Sequence, residues 1–334
     1  MGKMKLQKIG ELKLLQEVRK RFKTEDSGII LGIGDDAAVL APQKENILVT
    51  TDMMNEGIHF DLSFTPPFQL GFKLVSVNVS DITAMGGRPK YLFLNIALKN
   101  DADEKMFWDM YEGISKAMDM YGVKLVGGDL CSAKNDMVLS ATVIGTAEKF
   151  ISRAGAKAGD KIYVTGALGD SACGLEILKK LTPELKEKIG SSAEALIERH
   201  LMPVARDSSE IAKHATSMID ISDGLFIDLC RICDESNVGA KVYLDKIPIS
   251  DEMENAAGIM GLDAMHLAVS GGEDYELLFT APPTPPAPPL DKGGIGGVNI
   301  TCIGEIIEKD RIAVDKTGKE FPMKAEGYRH FGAP

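Results

Sequence analysis

Apolar residues Ile9, Leu12, Leu15 and Val18 recur at helical spacing and predict a helix over 9–23. A Gly-rich segment, Gly32-Ile33-Gly34-Asp35-Asp36, follows it, and residues 47–52 then read as a strand. The pattern over 70–85 predicts a helix that stops at Gly86-Gly87, ahead of a strand over 91–98. Over 104–121, Phe107, Tyr111, Ile114, Met118 and Tyr121 share one helical face until Gly122 breaks it. Another strand then leads into Gly127-Gly128-Asp129, and 138–145 gives a further one.

Near residue 149 the pattern starts again, which divides the chain into expected domains 1–148 and 149–334. The second half opens with a strand over 161–165, Gly166, and a helix from near Asp170. It continues with Met218-Ile219-Asp220, a helix over 224–235, and strands over 241–244, 275–280 and 300–305. Helices and strands mix in both halves, so the fold class is α/β or α+β. Residues 282–297, a Pro-rich run closed by Gly-Gly-Ile-Gly-Gly, stand out as a flexible insertion. No Gly-Lys-Ser/Thr follows those glycines, so they are not a phosphate-binding loop.

Composition narrows the function. The 334 residues are 44% hydrophobic and 26% charged, an ordinary globular balance long enough for two domains. Basic residues number 38 against 49 acidic ones, a net charge of −11, and no Lys/Arg run offers the basic stripe of a nucleic-acid binder. An acidic protein still binds phosphates when divalent metals supply the positive charge. The lack of a long apolar stretch, and of an apolar core after the first lysines, predicts a cytoplasmic protein with no membrane span. The odd count of five cysteines predicts reduced thiols.

The candidate chemistry lies in acidic residues read at loop positions just after apolar segments: Asp35-Asp36, Asp52, Asp81, Asp129, and Asp220 with Asp223. Converging at one rim of a sheet, these carboxylates would hold Mg²⁺, and the metals would hold a nucleotide's phosphates. Taken singly, each Asp is equally explained as a turn or cap residue. Gly32, Gly34, Gly127 and Gly128 suit close approach to an anion or a tight turn. Ser222-Asp223-Gly224 reads as a helix N-terminus whose backbone N–H groups suit a phosphate, or simply as a cap. Gly271-Gly272-Glu273-Asp274 offers two more carboxylates or an edge turn, and His59 and Arg153 are candidate phosphate contacts. Cys230 and Cys233, inside a helical pattern with no second pair, read as buried thiols rather than a zinc site. Nucleophilic triad motifs such as Gly-x-Ser-x-Gly are absent.

Six strings carry a resemblance along nearly the whole chain: 32–38 (GIGDDAA), 50–60 (TTDMMNEGIHF), 76–82 (SVNVSDI), 126–129 (VGGD), 218–224 (MIDISDG) and 271–278 (GGEDYELL). In this order they resemble the thiamine-monophosphate kinase family. The wider aminoimidazole ribotide synthetase-like superfamily shares the Gly-Asp-Asp and Gly-Gly-Asp elements, whereas the 50–60 and 271–275 strings are those of the thiamine kinase branch. The resemblance implies a two-domain α/β (α+β) fold, with an N-terminal mixed sheet and helices that pair in a homodimer, a C-terminal α/β domain, and ATP in the cleft between domains. It implies that Asp36, Thr50, Thr51, Asp52, Asp81, Asp129 and Asp220 ligate several Mg²⁺ ions, with Asp223 holding a further one. Tyr111, Gly128, Asp129, Arg153 and Ser222 would contact ATP, and His59, Glu273 and Tyr328 thiamine monophosphate. The family usually has Trp at the position of Tyr328, and a flat aromatic is kept.

The implied reaction is transfer of the ATP γ-phosphoryl group to an acceptor phosphate that is already anionic, so no general base is expected. Two rivals follow from the same superfamily: an ATP-dependent cyclase or activating enzyme that releases ADP and phosphate, and a non-catalytic nucleotide-binding protein.

Overall fold

The computed structural model describes residues 6–9, 11–23, 26–33, 37–283 and 299–328. Asp35, Asp36 and all but the first two residues of the insertion expected at 282–297 lie outside the described residues. The chain divides into two compact units, Met1–Ile82 with Gly87–Lys149, and Thr83–Gly86 with Phe150–Pro334.

The first unit contains α1 (Leu6–Ile9), α2 (Glu11–Arg21), β1 (Ile29–Leu31), β2 (Val39–Leu40), β3 (Asn46–Asn55), α3 (Pro67–Ala84), β4 (Arg88–Lys99), α4 (Glu104–Tyr121), β5 (Lys124–Ala133) and β6 (Val138–Ala147). The helix expected over 9–23 is thus α2, preceded by a separate short turn of helix. A four-stranded sheet of order β3-β6-β4-β5 is antiparallel except for its β4–β5 pair. Those parallel strands need a crossover, and α4 supplies it. Alternation along β3 buries Leu48 and Met54, while Ile47, Val49, Thr51 and Met53 on the opposite face are exposed.

Most of α3 is buried, from Leu70, Phe72 and Leu74 to Val79 and Ile82, as befits a helix apolar almost all round. Glycines let α3 and α4 touch backbone to backbone. A Cβ on Gly71 would lie 2.0 Å from Met110 O, and one on Gly113 1.8 Å from Phe68 O. Gly122 ends α4 in the left-handed conformation, φ 69°, and returns its N–H to Met118 O.

The second unit contains β7 (Lys161–Thr165), α5 (Asp170–Lys180), α6 (Pro183–Ile189), α7 (Ser191–Leu201), β8 (Ser217–Asp220), α8 (Leu225–Ser236), β9 (Gly239–Tyr243), α9 (Asp251–Met260), α10 (Ala264–Ser270), β10 (Leu277–Ala281), β11 (Ile300–Ile307), β12 (Arg311–Val314) and β13 (Glu320–Pro322). Among the described residues its sheet has the order β13-β12-β9-β11-β7-β10-β8. Both faces are covered. Ile162, Val164, Ile219 and Leu278 point into a core shared with α5, α7, α8 and α9. Tyr163, Met218, Leu277 and Phe279 point the other way, and the rings of Tyr163 and Phe279 stack with centroids 5.2 Å apart. Cys230 and Cys233 are buried in α8, as their helical pattern predicts. No helix among the described residues is long and apolar enough to cross a membrane.

Candidate active site

In the first unit, β3 and α3 build a polar edge. Thr50 and Asp52 leave the same face of β3, toward α3, where Thr50 Oγ1 donates to Asp81 Oδ2 at 2.5 Å. Asn78, fully buried one turn before Asp81, accepts the Asp52 N–H at 3.0 Å and donates to Leu74 O at 2.9 Å. A buried carboxamide with such fixed partners locks the strand and helix in register. The positions of these carboxylates correct the loop reading of the sequence. Asp52 and Asp129 stand within strands and Asp81 within a helix.

Strand alternation also separates residues that are adjacent in sequence. Thr51 points to the open face of the sheet, where its hydroxyl donates to Ala141 O at 3.0 Å and accepts from Thr142 at 3.1 Å. Register places Asp129 opposite Asn95, which lies opposite Ser140, on that same face. Gly128, φ 144°, packs so closely on β4 that a Cβ would meet Leu94 O at 1.9 Å. Asp36 lies outside the described residues.

His59 sits in the turn that closes β3, with its Nδ1 accepting the Asn55 N–H at 3.0 Å. That bond fixes the neutral tautomer with its proton on Nε2, a donor suited to a phosphate oxygen. Beside it, Asn55 Oδ1 is buried with no hydrogen-bond partner. Tyr111 is packed among Phe107, Phe22 and Trp108, centroids at 4.7, 5.6 and 6.0 Å, and burial pushes its phenol pKa up. Only an edge of this ring is left for a ligand.

In the second unit, a short backbone ladder draws distant segments together. Glu273 N–H donates to Ser222 O at 2.8 Å, Tyr275 N–H to Ile221 O at 2.9 Å, and Ile221 N–H to Glu276 O at 2.8 Å. Tyr328 N–H donates to Asp223 O at 3.0 Å, so the chain's last described residue docks on the same loop with its ring half exposed. Asp220, buried at the end of β8, precedes that loop. Ser222, Asp223, Glu273 and Tyr328 are therefore neighbours, while exposed Arg153 joins the unit through Ser236 Oγ donating to its carbonyl at 3.1 Å.

The ladder forces Glu273 and Tyr275 into the left-handed region, φ 67° and 52°, which non-glycine residues adopt only when their surroundings over-determine it. This is why β10 begins at Leu277 and not at 275. The surroundings are charged. Glu276, fully buried, accepts from Thr165 Oγ1 at 2.6 Å, Arg199 Nη2 at 2.8 Å and Arg206 Nε at 2.7 Å. Asp274 accepts the N–H groups of Gly169 and Ser171 at the start of α5, at 2.6 and 3.2 Å. Burial pushes the Asp274 pKa up to about 7 despite those bonds and the nearby Arg199.

Just ahead of α8, the N–H groups of Ser222, Asp223 and Gly224 all donate to Asp228 Oδ2, at 3.1, 3.1 and 3.2 Å. Arg231 closes the arrangement by pairing with both Asp228 and Asp223. Asp228, Arg231, Asn78, Arg199 and Arg206 escaped the sequence reading, although a carboxylate four residues into a helix that follows a Ser-Asp-Gly turn is a recognisable signal.

The donors gathered here are carboxylate and hydroxyl oxygens, chemistry that fits Mg²⁺ and not a soft metal. Among the described residues no three His, Cys, Asp or Glu side chains cluster as a closed metal site. Ions held by one or two carboxylates, with phosphate and water completing their shells, need no such cage.

Residues 34–147 match the AIR synthase related protein, N-terminal domain family, and residues 157–316 the AIR synthase related protein, C-terminal domain family. The chain is 36% identical to thiamine-monophosphate kinase of Aquifex aeolicus, over 98% of this chain and 100% of that one. It is 35% identical to that of Escherichia coli K12, over 97% and 99%. The structure of AaThiL complexed with AMPPCP and TMP superposes with a TM-score of 0.77 at 33% identity, covering 99% of this chain and 100% of that one.

Proposed function

The chain belongs to the thiamine-monophosphate kinase family, and from that premise we infer that it phosphorylates thiamine monophosphate to thiamine diphosphate with ATP as co-substrate. We place this reaction in the cytoplasm, as the last step of thiamine diphosphate biosynthesis, a setting that the five free cysteines support.

The acceptor is a phosphate oxygen, anionic at neutral pH, so the protein need not remove a proton from it. The work left is to orient two polyanions and hold them against their repulsion. We assign Thr50, Asp52 and Asp81 as one group of Mg²⁺ holders in the first unit, and carry Thr51, Asp129, Asp36, Asp220 and Asp223 into the metal set from the family resemblance, Asp223 being paired with Arg231. Bound Mg²⁺ would supply the positive charge that screens both phosphate chains. Tyr111, Gly128, Asp129, Arg153 and Ser222 are the proposed ATP contacts. His59 offers its Nε2–H to the substrate phosphate, and Glu273 and Tyr328 hold thiamine monophosphate. Transfer is direct and in line, with no covalent enzyme intermediate.

The observation that carries the substrate assignment is the ladder placing Glu273 on Ser222 and Tyr328 on Asp223. It gathers a carboxylate and a half-exposed aromatic ring, which suit a cationic aromatic substrate, beside residues suited to phosphate. We further propose a homodimer formed through the open face of the β3-β6-β4-β5 sheet, because Ile47, Val49 and Met53 expose 57, 64 and 58% of their surface there.

Purified protein incubated with Mg-ATP and thiamine monophosphate tests the reaction, with products separated chromatographically. Thiamine diphosphate and ADP in equal amounts are expected. ADP with free phosphate and unchanged thiamine monophosphate would move the chain to the activating chemistry of its superfamily.

A further inference from the structure

Helices α5 and α7 touch at Gly174, where a Cβ would meet Leu196 O at 2.1 Å. One turn beyond Leu196, that contact turns His200 inward, and its side chain is only 5% exposed. Its Nδ1 lies 3.1 Å from Ser171 Oγ and 3.4 Å from Glu273 Oε2. The ring nitrogen is hydrogen-bonded to Ser171 Oγ and lies beside the Glu273 carboxylate as its polar neighbour. Glu273 is itself 28% exposed at its side chain, so the carboxylate has one side on a buried ring and another toward solvent.

The parts form a closed circuit. Asp274 accepts the Ser171 N–H, Ser171 meets His200, and His200 returns to Glu273, the neighbour of Asp274. A left-handed Glu273 has its backbone set by Ser222, and the imidazole then sets where its side chain can go. We propose that His200 is a positioning residue of the kinase reaction, fixing the Glu273 carboxylate for thiamine monophosphate. This rests on reading Glu273 as a substrate contact. A histidine that merely filled space between α5 and α7 would affect stability and nothing specific to one substrate.

The test is steady-state kinetics of the full chain, with ATP and thiamine monophosphate varied separately, for His200→Leu, His200→Asn, Glu273→Gln and the double variant His200→Leu/Glu273→Gln. Asparagine keeps an N–H donor near the Nδ1 position. Loss of one polar contact to a carboxylate predicts a rise of about tenfold in KM for thiamine monophosphate in His200→Leu. KM for ATP should stay within about twofold of wild type, and His200→Asn should recover most of the loss, as expected of a side chain acting on one substrate's binding alone. Glu273→Gln should raise the same KM, and His200→Leu should add little on top of it. If Glu273→Gln raises KM and His200→Leu does not, the positioning role is wrong and the substrate reading stands. If Glu273→Gln has no effect, the substrate reading falls and the role of His200 with it. A drop in Tm, with both KM values rising together and no rescue by asparagine, assigns His200 to packing and overturns the proposal. Should His200→Leu not fold, His200→Phe keeps the ring's volume and is judged in the same way.

Discussion

Asp228 Oδ2 accepts the backbone N–H of Ser222 at 3.1 Å, six residues back along the chain. The same oxygen serves Asp223 and Gly224, and Arg231 bridges the carboxylate to that of Asp223. The turn before α8 is therefore organised from within the same element. Burial, with the neighbouring Asp223 carboxylate, pushes the Asp228 pKa up to about 6 against the pull of Arg231 and the amides of Asp223 and Gly224, so its setting strains the charged form that the amides require.

Removing this carboxylate exposes how much rests on it. Asp228→Ala removes the acceptor of one buried and two half-buried amides and leaves Arg231 with Asp223 alone, and an unsatisfied buried group costs about 1–3 kcal/mol. We expect a total loss of about 3 kcal/mol or more in urea unfolding, the terms not being additive. Asp228→Asn retains an acceptor and should lose markedly less. Equal losses for the two variants would show that the amides are not what Asp228 supports.

Glu276 is the counterpart beneath the Glu273 turn. Its carboxylate meets two guanidinium groups while fully buried, so Glu276→Ala removes the buried anion that both share and should cost about 3–5 kcal/mol. Chemical denaturation reads that loss directly. A change below about 1 kcal/mol, the range of an exposed ion pair, would mean that solvent already reaches the network.

Much of the scaffold was legible because its signals are local. The stripe of Phe107, Tyr111, Ile114 and Met118 ends at Gly122, and α4 ends at Tyr121. The face of a carboxylate is harder to read. Thr50, Thr51 and Asp52 are consecutive, yet a period of two sends Thr51 to the open face and the others toward α3. The strand expected over 47–52 ends on Asp52, which made it look like a loop residue, whereas β3 runs on to Asn55 and holds it within the strand. The network under Glu273 was invisible for another reason. Thr165, Arg199 and Arg206 meet Glu276 across sequence separations of 111, 77 and 70 residues, which no spacing rule spans. The helical stripe of Tyr111 marked it as core, but its contact with Phe22 of a different segment lay beyond any spacing rule.

Asp274 predicts a pH dependence with a definite sign. Its pKa is raised from 3.8 to about 7 in the folded chain, chiefly by burial. Over that window the folded state keeps a proton that the unfolded state has released, so this group's contribution to stability falls as pH rises from about 4 to about 7 and is level above. Asp274→Asn removes the titration and leaves a constant offset. Wild type should lose stability relative to the variant across the window, followed by thermal unfolding at fixed ionic strength. Parallel curves for the two proteins would contradict the burial argument.

Asp81 separates charge from hydrogen bonding. Asp81→Asn retains an acceptor for Thr50 Oγ1 but discards the charge proposed to hold Mg²⁺, so turnover should fall by about 100-fold or more with the fold intact. Thr50→Val discards the bond and keeps the carboxylate, and should cost much less in rate. Circular dichroism and both kcat values decide it. Full activity of Asp81→Asn at saturating Mg²⁺ would remove Asp81 from the metal assignment.

The open sheet face carries the last prediction. One face of β3 presents Ile47, Val49 and Met53 to solvent at alternate positions, with Thr51 between the last two. A sheet whose other face is already filled by α3 gains nothing within its own unit from apolar residues there, and exposed apolar patches of this kind mark association surfaces. Val49→Asp places a charge at the middle of the patch without touching the buried side that holds Leu48, Thr50 and Asp52. Sedimentation should give a dimer for the wild type and a monomer for the variant, with unchanged circular dichroism. A wild-type chain that sediments as a monomer at micromolar concentration would show that a second copy does not cover this face.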